Sequence, residues 1–277
     1  MRDRDAGVIV PAMWSRSEVP ACIGMIHLDA LPGAPLFAGD LTAVVDRALR
    51  DLEALVTGGV PAVMVENFHD VPFHASRVPA ITVAAMTAVA AALRRAAPPA
   101  VALGVNVLRN DADAALAVAA VAPADLIRVN VHTGAMVTDQ GPLRGQADRT
   151  LRRRRELGLD EVAILADLRV KHAAPLARRD LVDEARDLRE RGLADALVVS
   201  GAATGAAAAP DDLHRVRAAL PSCPLLVGSG VTLENVHSYL DSADGVIVGT
   251  SLKTDGRVDV ERVRAMVAAM GRGKESR

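Results

Sequence analysis

Leu225-Leu226-Val227-Gly228-Ser229-Gly230-Val231-Thr232 and, a little further on, Gly245-Val246-Ile247-Val248-Gly249-Thr250-Ser251 decide how this chain folds. Each is a short apolar run that breaks at glycine and a small hydroxyl residue. Runs this short and this rich in Val, Ile and Leu read as strands buried on both faces. The glycines let the backbone approach a ligand, and the hydroxyls and N–H groups beside them point at it. A helix starting at Thr232 would add the positive end of its dipole. Two such units in succession are the pattern of a phosphate grip after strands seven and eight of a (β/α)8 barrel.

Counting back from this pair gives six more buried runs: Cys22 to His27, Ala62 to Asn67, Val101 to Val107, Leu126 to Val131, Val162 to Asp167 and Ala196 to Ser200. Helical patterns separate them. The first is capped by Asp40, has apolar residues at Leu41, Val44, Val45, Ala48, Leu52 and Leu55, and stops at Gly58-Gly59. The others span Val78 to Ala96, Asp111 to Val121, Gln146 to Leu157, Leu181 to Arg191, Asp211 to Leu220, Leu233 to Leu240 and Val258 to Met270. Strict alternation of strand and helix points to a parallel sheet. A doubly wound sheet is the structural alternative; eight regular units favour closure into a single (β/α)8 TIM barrel. With no linker or break in composition, residues 1–277 read as one domain. Residues 1–20 are expected to form an extension packing on or near the barrel, and residues 272–277 a flexible tail.

The 277 residues are close to the ~250 of one such barrel. Aromatic residues make up only 2%, too few for the stacking platforms of single-strand nucleic-acid recognition. The formal net charge of -2 leaves no global basic field, so no nucleic-acid partner is expected. Cys22 and Cys223 lie far apart without a C-x-x-C pattern, which fits a reducing cytoplasm. The charged N-terminus is not a signal peptide, and the most apolar segment, Pro79 to Leu93, is shorter than the ~20 residues of a membrane span. No integral membrane association is expected. A homo-oligomer is, since barrels of this kind often dimerise.

Polar residues gather at the C-terminal ends of the strands, which in a barrel meet on the active-site face. Burying so many without a use or a partner costs free energy. The catalytic candidates are His27, Glu66, Asp167 and Lys171. His27 reads equally as a satisfied core histidine. Glu66 and Asp167 suit general acid–base work, Mg2+ ligation, or pairing with Lys171 or Arg128. Lys171 suits phosphate neutralisation, a Schiff base or an ion pair. Candidates for phosphate and substrate binding are Asn67, Asn106, Asn130, Ser200, Gly228, Ser229, Gly230, Gly249, Thr250, Ser251 and Lys253. The segment Thr133 to Gly145, with Thr138-Asp139-Gln140-Gly141-Pro142, reads as a long irregular loop and a candidate lid. Arg149 and Arg152 to Arg155 form a basic helix read as a solvated face. The absence of H-E-x-x-H, P-loop and G-x-S-x-G patterns lowers the odds of the chemistries they serve.

Several linked motifs then resemble the BtpA family, named for a protein needed to accumulate photosystem I. They are Gly24-Met25-Ile26-His27-Leu28 with Leu31-Pro32-Gly33-Ala34-Pro35, Glu66-Asn67-Phe68-His69-Asp70-Val71-Pro72-Phe73, Gly104 to Asp111, Thr138 to Gly141, Asp167-Leu168-Arg169-Val170-Lys171-His172, Val199-Ser200-Gly201 with Thr204-Gly205, Gly228-Ser229-Gly230 and Gly249 to Lys253. The resemblance runs from about Cys22 to the C-terminal helix, departs slightly at Asp29-Ala30, and implies a layout similar to phosphate-binding TIM barrels. The expectation is an enzyme acting on a small phosphorylated metabolite, a sugar phosphate or ribosyl phosphate, by isomerase, lyase or glycosyl-transfer chemistry. The alternative, implied by the family name, is a non-catalytic factor for photosystem I biogenesis or stability.

Overall fold

The computed structural model describes residues 14–170, 173–177, 179–201 and 208–272. Eight parallel strands close into a barrel: β1 (Cys22–His27), β2 (Ala62–Glu66), β3 (Ala102–Asn106), β4 (Leu126–Val129), β7 (Ala163–Asp167), β9 (Ala196–Ser200), β10 (Leu225–Gly228) and β11 (Gly245–Val248). Closure is made where Cys22, Ile23 and Gly24 pair with Val246, Ile247 and Val248. The remaining strands, β5 (Ala135–Thr138), β6 (Gly141–Arg144) and β8 (Ala173–Pro175), form a small separate sheet, and β12 (Lys253–Thr254) pairs with β13 (Arg257–Val258).

Side chains alternate across a strand, so each barrel strand has an inward and an outward set. Inward, Ile23, Met25, Ala62, Met64, Leu126, Ala163, Leu165, Ala196, Val198, Leu226 and Ile247 form one buried cluster inside the barrel. Outward, residues such as Ile26, Val65, Val105, Ile127, Ile164, Val199 and Val227 join the larger core beneath the helices. At the N-terminal end, Val19 and the lone tryptophan, Trp14, pack on the inner cluster and close the bottom. Arg16 anchors that segment through its Nε, 2.8 Å from Asp244 Oδ1.

The helices are α1 (Leu41–Thr57), α2 (Ala80–Ala96), α3 (Ala112–Val121), α4 (Ala147–Glu156), α5 (Leu181–Arg186), α6 (Pro210–Ala219) and α7 (Val260–Arg272). For α1, Asp40 Oδ1 accepts the Ala43 N–H at 3.1 Å, and Val44, Ala48, Leu52 and Leu55 form the buried stripe. Each leucine so buried contributes about 1.5–3 kcal/mol. Gly59 ends the run at φ +91°, a conformation that favours glycine. A π-helical turn, Asp187–Arg191, continues α5.

Two expectations are corrected. Leu233 to Leu240 is not an α-helix: only the short 3-10 turn Val236–Tyr239 forms. Asn235 explains it, because its Oδ1 accepts the Thr232 N–H at 2.8 Å and its Nδ2 donates to the Gly230 carbonyl at 2.7 Å. An Asn side chain bonded locally holds the backbone in a turn instead of a helix. No helix N-terminus therefore stands at Thr232. Nor is Thr133 to Gly145 irregular: β5 and β6 make a hairpin whose far edge pairs with β8, Val137 opposite Ala174. Among the described residues no helix is long and apolar enough to cross a membrane. Cys22 and Cys223 are free and buried, and burial pushes their thiols up to about 12 and about 11.

Candidate active site

The inward set continues past the apolar cluster. One pleat beyond Met25 is His27; beyond Met64, Glu66; beyond Leu165, Asp167; beyond Val198, Ser200; and on β4 Leu126 is followed inward by Arg128 and then Asn130. The same alternation that builds the barrel core thus gathers polar side chains at its C-terminal mouth. There a cavity of about 750 Å3 opens, lined by His27, Glu66, Arg109, Arg128, Asn130, Asp139 and Asp167, by Phe68, His69, Val71 and Phe73, and by Ser229, Gly230, Thr232, Gly249, Thr250 and Ser251.

Asp167 and Arg128 form a bidentate pair. Arg128 Nε donates to Oδ1 at 2.8 Å and Nη2 to Oδ2 at 3.0 Å, while Asn130 Nδ2 also donates to Oδ2 at 2.9 Å. Burial works against the Arg128 charge, but the adjacent Asp167 outweighs it and holds the guanidinium above its usual value. Gly228 makes room for this pair. A Cβ there would lie 2.6 Å from Val198 Cγ1 and 3.4 Å from Arg128 Nη2, so Gly228 belongs to the barrel interior and does not line the cavity. Asn130 Oδ1 and Ser200 Oγ are buried without a hydrogen-bond partner among the described residues.

Across the mouth, Asn106 Nδ2 donates to Glu66 Oε1 at 2.6 Å, and Glu66 Oε2 lies 3.7 Å from His27 Nε2. His27 stacks on Phe68, ring centroids 4.2 Å apart. Asn106 touches Glu66 and is not among the residues lining the cavity. Asn67 has the opposite pleat parity to Glu66 and sits behind the wall. Its Oδ1 accepts the Leu108 N–H at 2.7 Å and its Nδ2 donates to Asp70 Oδ2 at 3.1 Å, tying the loops after β2 and β3 together.

At the end of β10, Ser229 and Gly230 take φ +85° and +66°. Holding a serine in that region costs about 1 kcal/mol or more, a strain that concentrates at functional sites. Gly249 is pressed against His27, where a Cβ would lie 2.9 Å from Cε1. Ser251 Oγ donates to the Val231 carbonyl at 2.6 Å, joining the two loops and committing that hydroxyl proton. Lys253 lies on β12, outside the cavity lining; burial lowers its ammonium, opposed by Asp51. Lys171 lies outside the described residues, as do His172 and Thr204.

Lining residues outside the sequence-based site set include Arg109, Asp139, Phe68 and Phe73. Arg109 is buried, and burial lowers its guanidinium against the opposing pull of Asp167, Asp139 and Glu66. Asp139 comes from the tip of the β5–β6 hairpin. The signal for the two phenylalanines was their rarity, since the chain has only three. Among the described residues no group of three or more His, Cys, Asp or Glu side chains is placed to hold a metal.

His132, buried against the end of the π-helical turn, carries a pH prediction. Its Nε2 lies 2.8 Å from the Gly192 carbonyl and therefore bears the proton, while Nδ1 is buried without a hydrogen-bond partner among the described residues. Burial holds this imidazole below its usual value. The unfolded chain takes up the proton near pH 6.5, the folded chain only at lower pH. Stability is thus complete above about pH 6.5 and falls as pH drops toward the folded value, by up to ~1.4 kcal/mol per pH unit. Urea unfolding at about pH 7 and pH 5.5 should show a smaller loss in His132→Gln than in the unmodified protein. Equal losses would remove His132 as the cause.

Fold and cavity together define a (β/α)8 barrel with a chamber at its C-terminal mouth. The BtpA family model matches residues 18–272, and the chain belongs to that family. It is 45% identical over 261 residues to the photosystem I biogenesis protein BtpA of Synechocystis sp., covering 92% of this chain and 89% of that one. It is also 45% identical over 251 residues to an uncharacterized protein of Thermococcus kodakarensis, covering 88% and 93%. Among solved structures, thiamine phosphate pyrophosphorylase from Pyrococcus furiosus shares the fold with a TM-score of 0.58 at 13% identity, covering 93% of this chain and 98% of that one. Phosphoribosyl anthranilate isomerase from Thermus thermophilus does so with a TM-score of 0.54 at 13% identity, covering 90% and 98%.

Proposed function

We propose that this chain is an enzyme acting on a small phosphorylated metabolite, a sugar phosphate or ribosyl phosphate, by isomerase, lyase or glycosyl-transfer chemistry. One observation carries the reading: a single chamber is lined by the Glu66–His27 pair and, beside it, by the Ser229–Gly230 and Gly249–Thr250 turns. Backbone N–H groups of those turns, with Ser229 and Thr250, receive the phosphate. Glu66, held by Asn106, moves the proton at the reacting carbon or oxygen, and His27 polarises the neighbouring group. Asp167 acts through Arg128, orienting a guanidinium toward the substrate anion. Lys171 keeps its sequence-based role as a phosphate-neutralising or Schiff-base lysine, and Lys253 supplies longer-range positive charge. Both Asp167 oxygens are engaged, so a Mg2+ ion in this site would rest on Glu66 and on the substrate itself. The reading includes a cytoplasmic homo-oligomer with no nucleic-acid partner.

The names of the fold neighbours support it, since both include a phosphorylated compound. A thermal-shift screen of the purified protein tests it, using phosphorylated sugars, nucleotides and inorganic phosphate, with and without Mg2+. A ligand at 100 times its Kd adds about 2.7 kcal/mol, a shift of several degrees or less for a domain this size. The expected hit is lost in Gly249→Ala, whose new methyl crowds His27. No shift from any phosphorylated compound, with the protein folded, overturns the reading. The second reading, a photosystem I biogenesis factor, draws on the name of the Synechocystis relative. It would be favoured by that same silence together with specific binding to a photosystem I subunit.

A further inference from the structure

Aromatic side chains are scarce here, and where they sit is informative. The chain has three Phe, one Trp and one Tyr. Tyr239 is in the outer core, Phe37 packs against it, and Trp14 packs on the inner cluster at the barrel bottom. The other two, Phe68 and Phe73, belong to no apolar core cluster among the described residues. Both line the mouth cavity, both are only partly buried, and both come from the loop between β2 and α2, which also brings Val71 there, 41% exposed. An apolar wall left partly open inside a binding chamber is costly unless a ligand covers it. Phe68 is also held in place, stacked within 12° of parallel on His27 and met edge-on by His69. A ring fixed in advance offers a flat face without losing rotamer freedom on binding.

The dimensions agree. At about 750 Å3 the chamber has the volume of a pocket for a multi-ring ligand, more than a phosphate and one sugar fill. Its lining is chemically mixed. The turns after β10 and β11 bring Ser229, Gly230, Thr232, Thr250 and Ser251 to it, whereas the loop after β2 brings Phe68, Val71 and Phe73. A chain too poor in aromatics to follow a nucleic-acid strand still has enough here for one ring.

We infer that the substrate carries a planar aromatic or heteroaromatic ring, joined to its phosphorylated part, which packs against the Phe68–Phe73 wall. This rests on the phosphate reading of the same site and narrows the substrate class within it. Glu66 and His27, between the ring wall and the phosphate turns, then face the bond region that links the two parts.

The test measures binding of three kinds of probe to the full-length protein by calorimetry: ribose 5-phosphate, the common nucleosides and their 5′-monophosphates. The expected result is that at least one monophosphate binds about tenfold or more tighter than ribose 5-phosphate, the scale of stacking one base on an aromatic side chain. In Phe73→Leu, which keeps apolar bulk and loses the ring face, that advantage shrinks to about threefold or less. If ribose 5-phosphate binds and no monophosphate binds tighter, the ring inference fails and the phosphate reading stands. If nucleosides bind as tightly as their monophosphates, the ring inference stands and the phosphate reading fails. If no probe binds to folded protein, both fall.

Discussion

Asp167→Asn is expected to destabilise the protein by about 3–5 kcal/mol, the usual cost of removing one partner from a buried ion pair. Arg128 is 8% exposed at its side chain and Asp167 0%. Both Asp167 oxygens are in use: Oδ1 accepts from Arg128 Nε, and Oδ2 from Arg128 Nη2 and Asn130 Nδ2. An amide at this position keeps one oxygen and turns an NH2 toward donors, so at least one donor loses its acceptor and a buried guanidinium loses its counter-charge. Urea unfolding at neutral pH measures the loss. The double variant Arg128→Met/Asp167→Leu should recover much of it, because two well-packed apolar side chains replace a pair that gained little over its desolvation cost. A loss under about 1 kcal/mol in Asp167→Asn would show that the pair does not bear on stability as its geometry implies.

Glu66→Gln should act on turnover and not on folding. Glutamine retains an oxygen for the Asn106 Nδ2 donor that now sits 2.6 Å from Oε1, so the local packing survives. What disappears is the ability to take or give a proton beside His27. With a substrate identified by thermal shift, kcat is expected to fall about 10^2- to 10^4-fold while the substrate-induced shift persists. Turnover within about threefold of the unmodified protein would remove Glu66 from the proposed proton transfer and leave it a structural acceptor for Asn106.

The barrel was legible because its signal is local. Cys22 to His27 and Ala196 to Ser200 form strands at the expected bounds, and Asp40 caps α1 as its spacing implies. Features that depend on long-range contacts were not legible. The hairpin at Ala135–Arg144 is stabilised by β8, about forty residues on, and no periodicity announces that pairing. The lost helix after β10 turned on one side chain, Asn235, choosing local backbone partners. The site divides in the same way. That His27, Glu66 and Asp167 come together follows from strand parity and was readable. Whether Asp167 met Lys171 or Arg128 was not, since it depends on how a long guanidinium reaches along β4 toward β7. Parity also separates Asn67 from Glu66: neighbours in sequence, they face opposite sides of the wall.

The tryptophan at the closed end has a practical consequence. Because Trp14 packs at the bottom of the barrel and the chamber opens at the top, the chain's only indole reports on one end of the molecule alone. Its emission is expected to follow the opening of the barrel floor on denaturation and to change little when the mouth is occupied. Folding and ligand binding can thus be followed separately in the unlabelled protein, the first by fluorescence and the second by calorimetry.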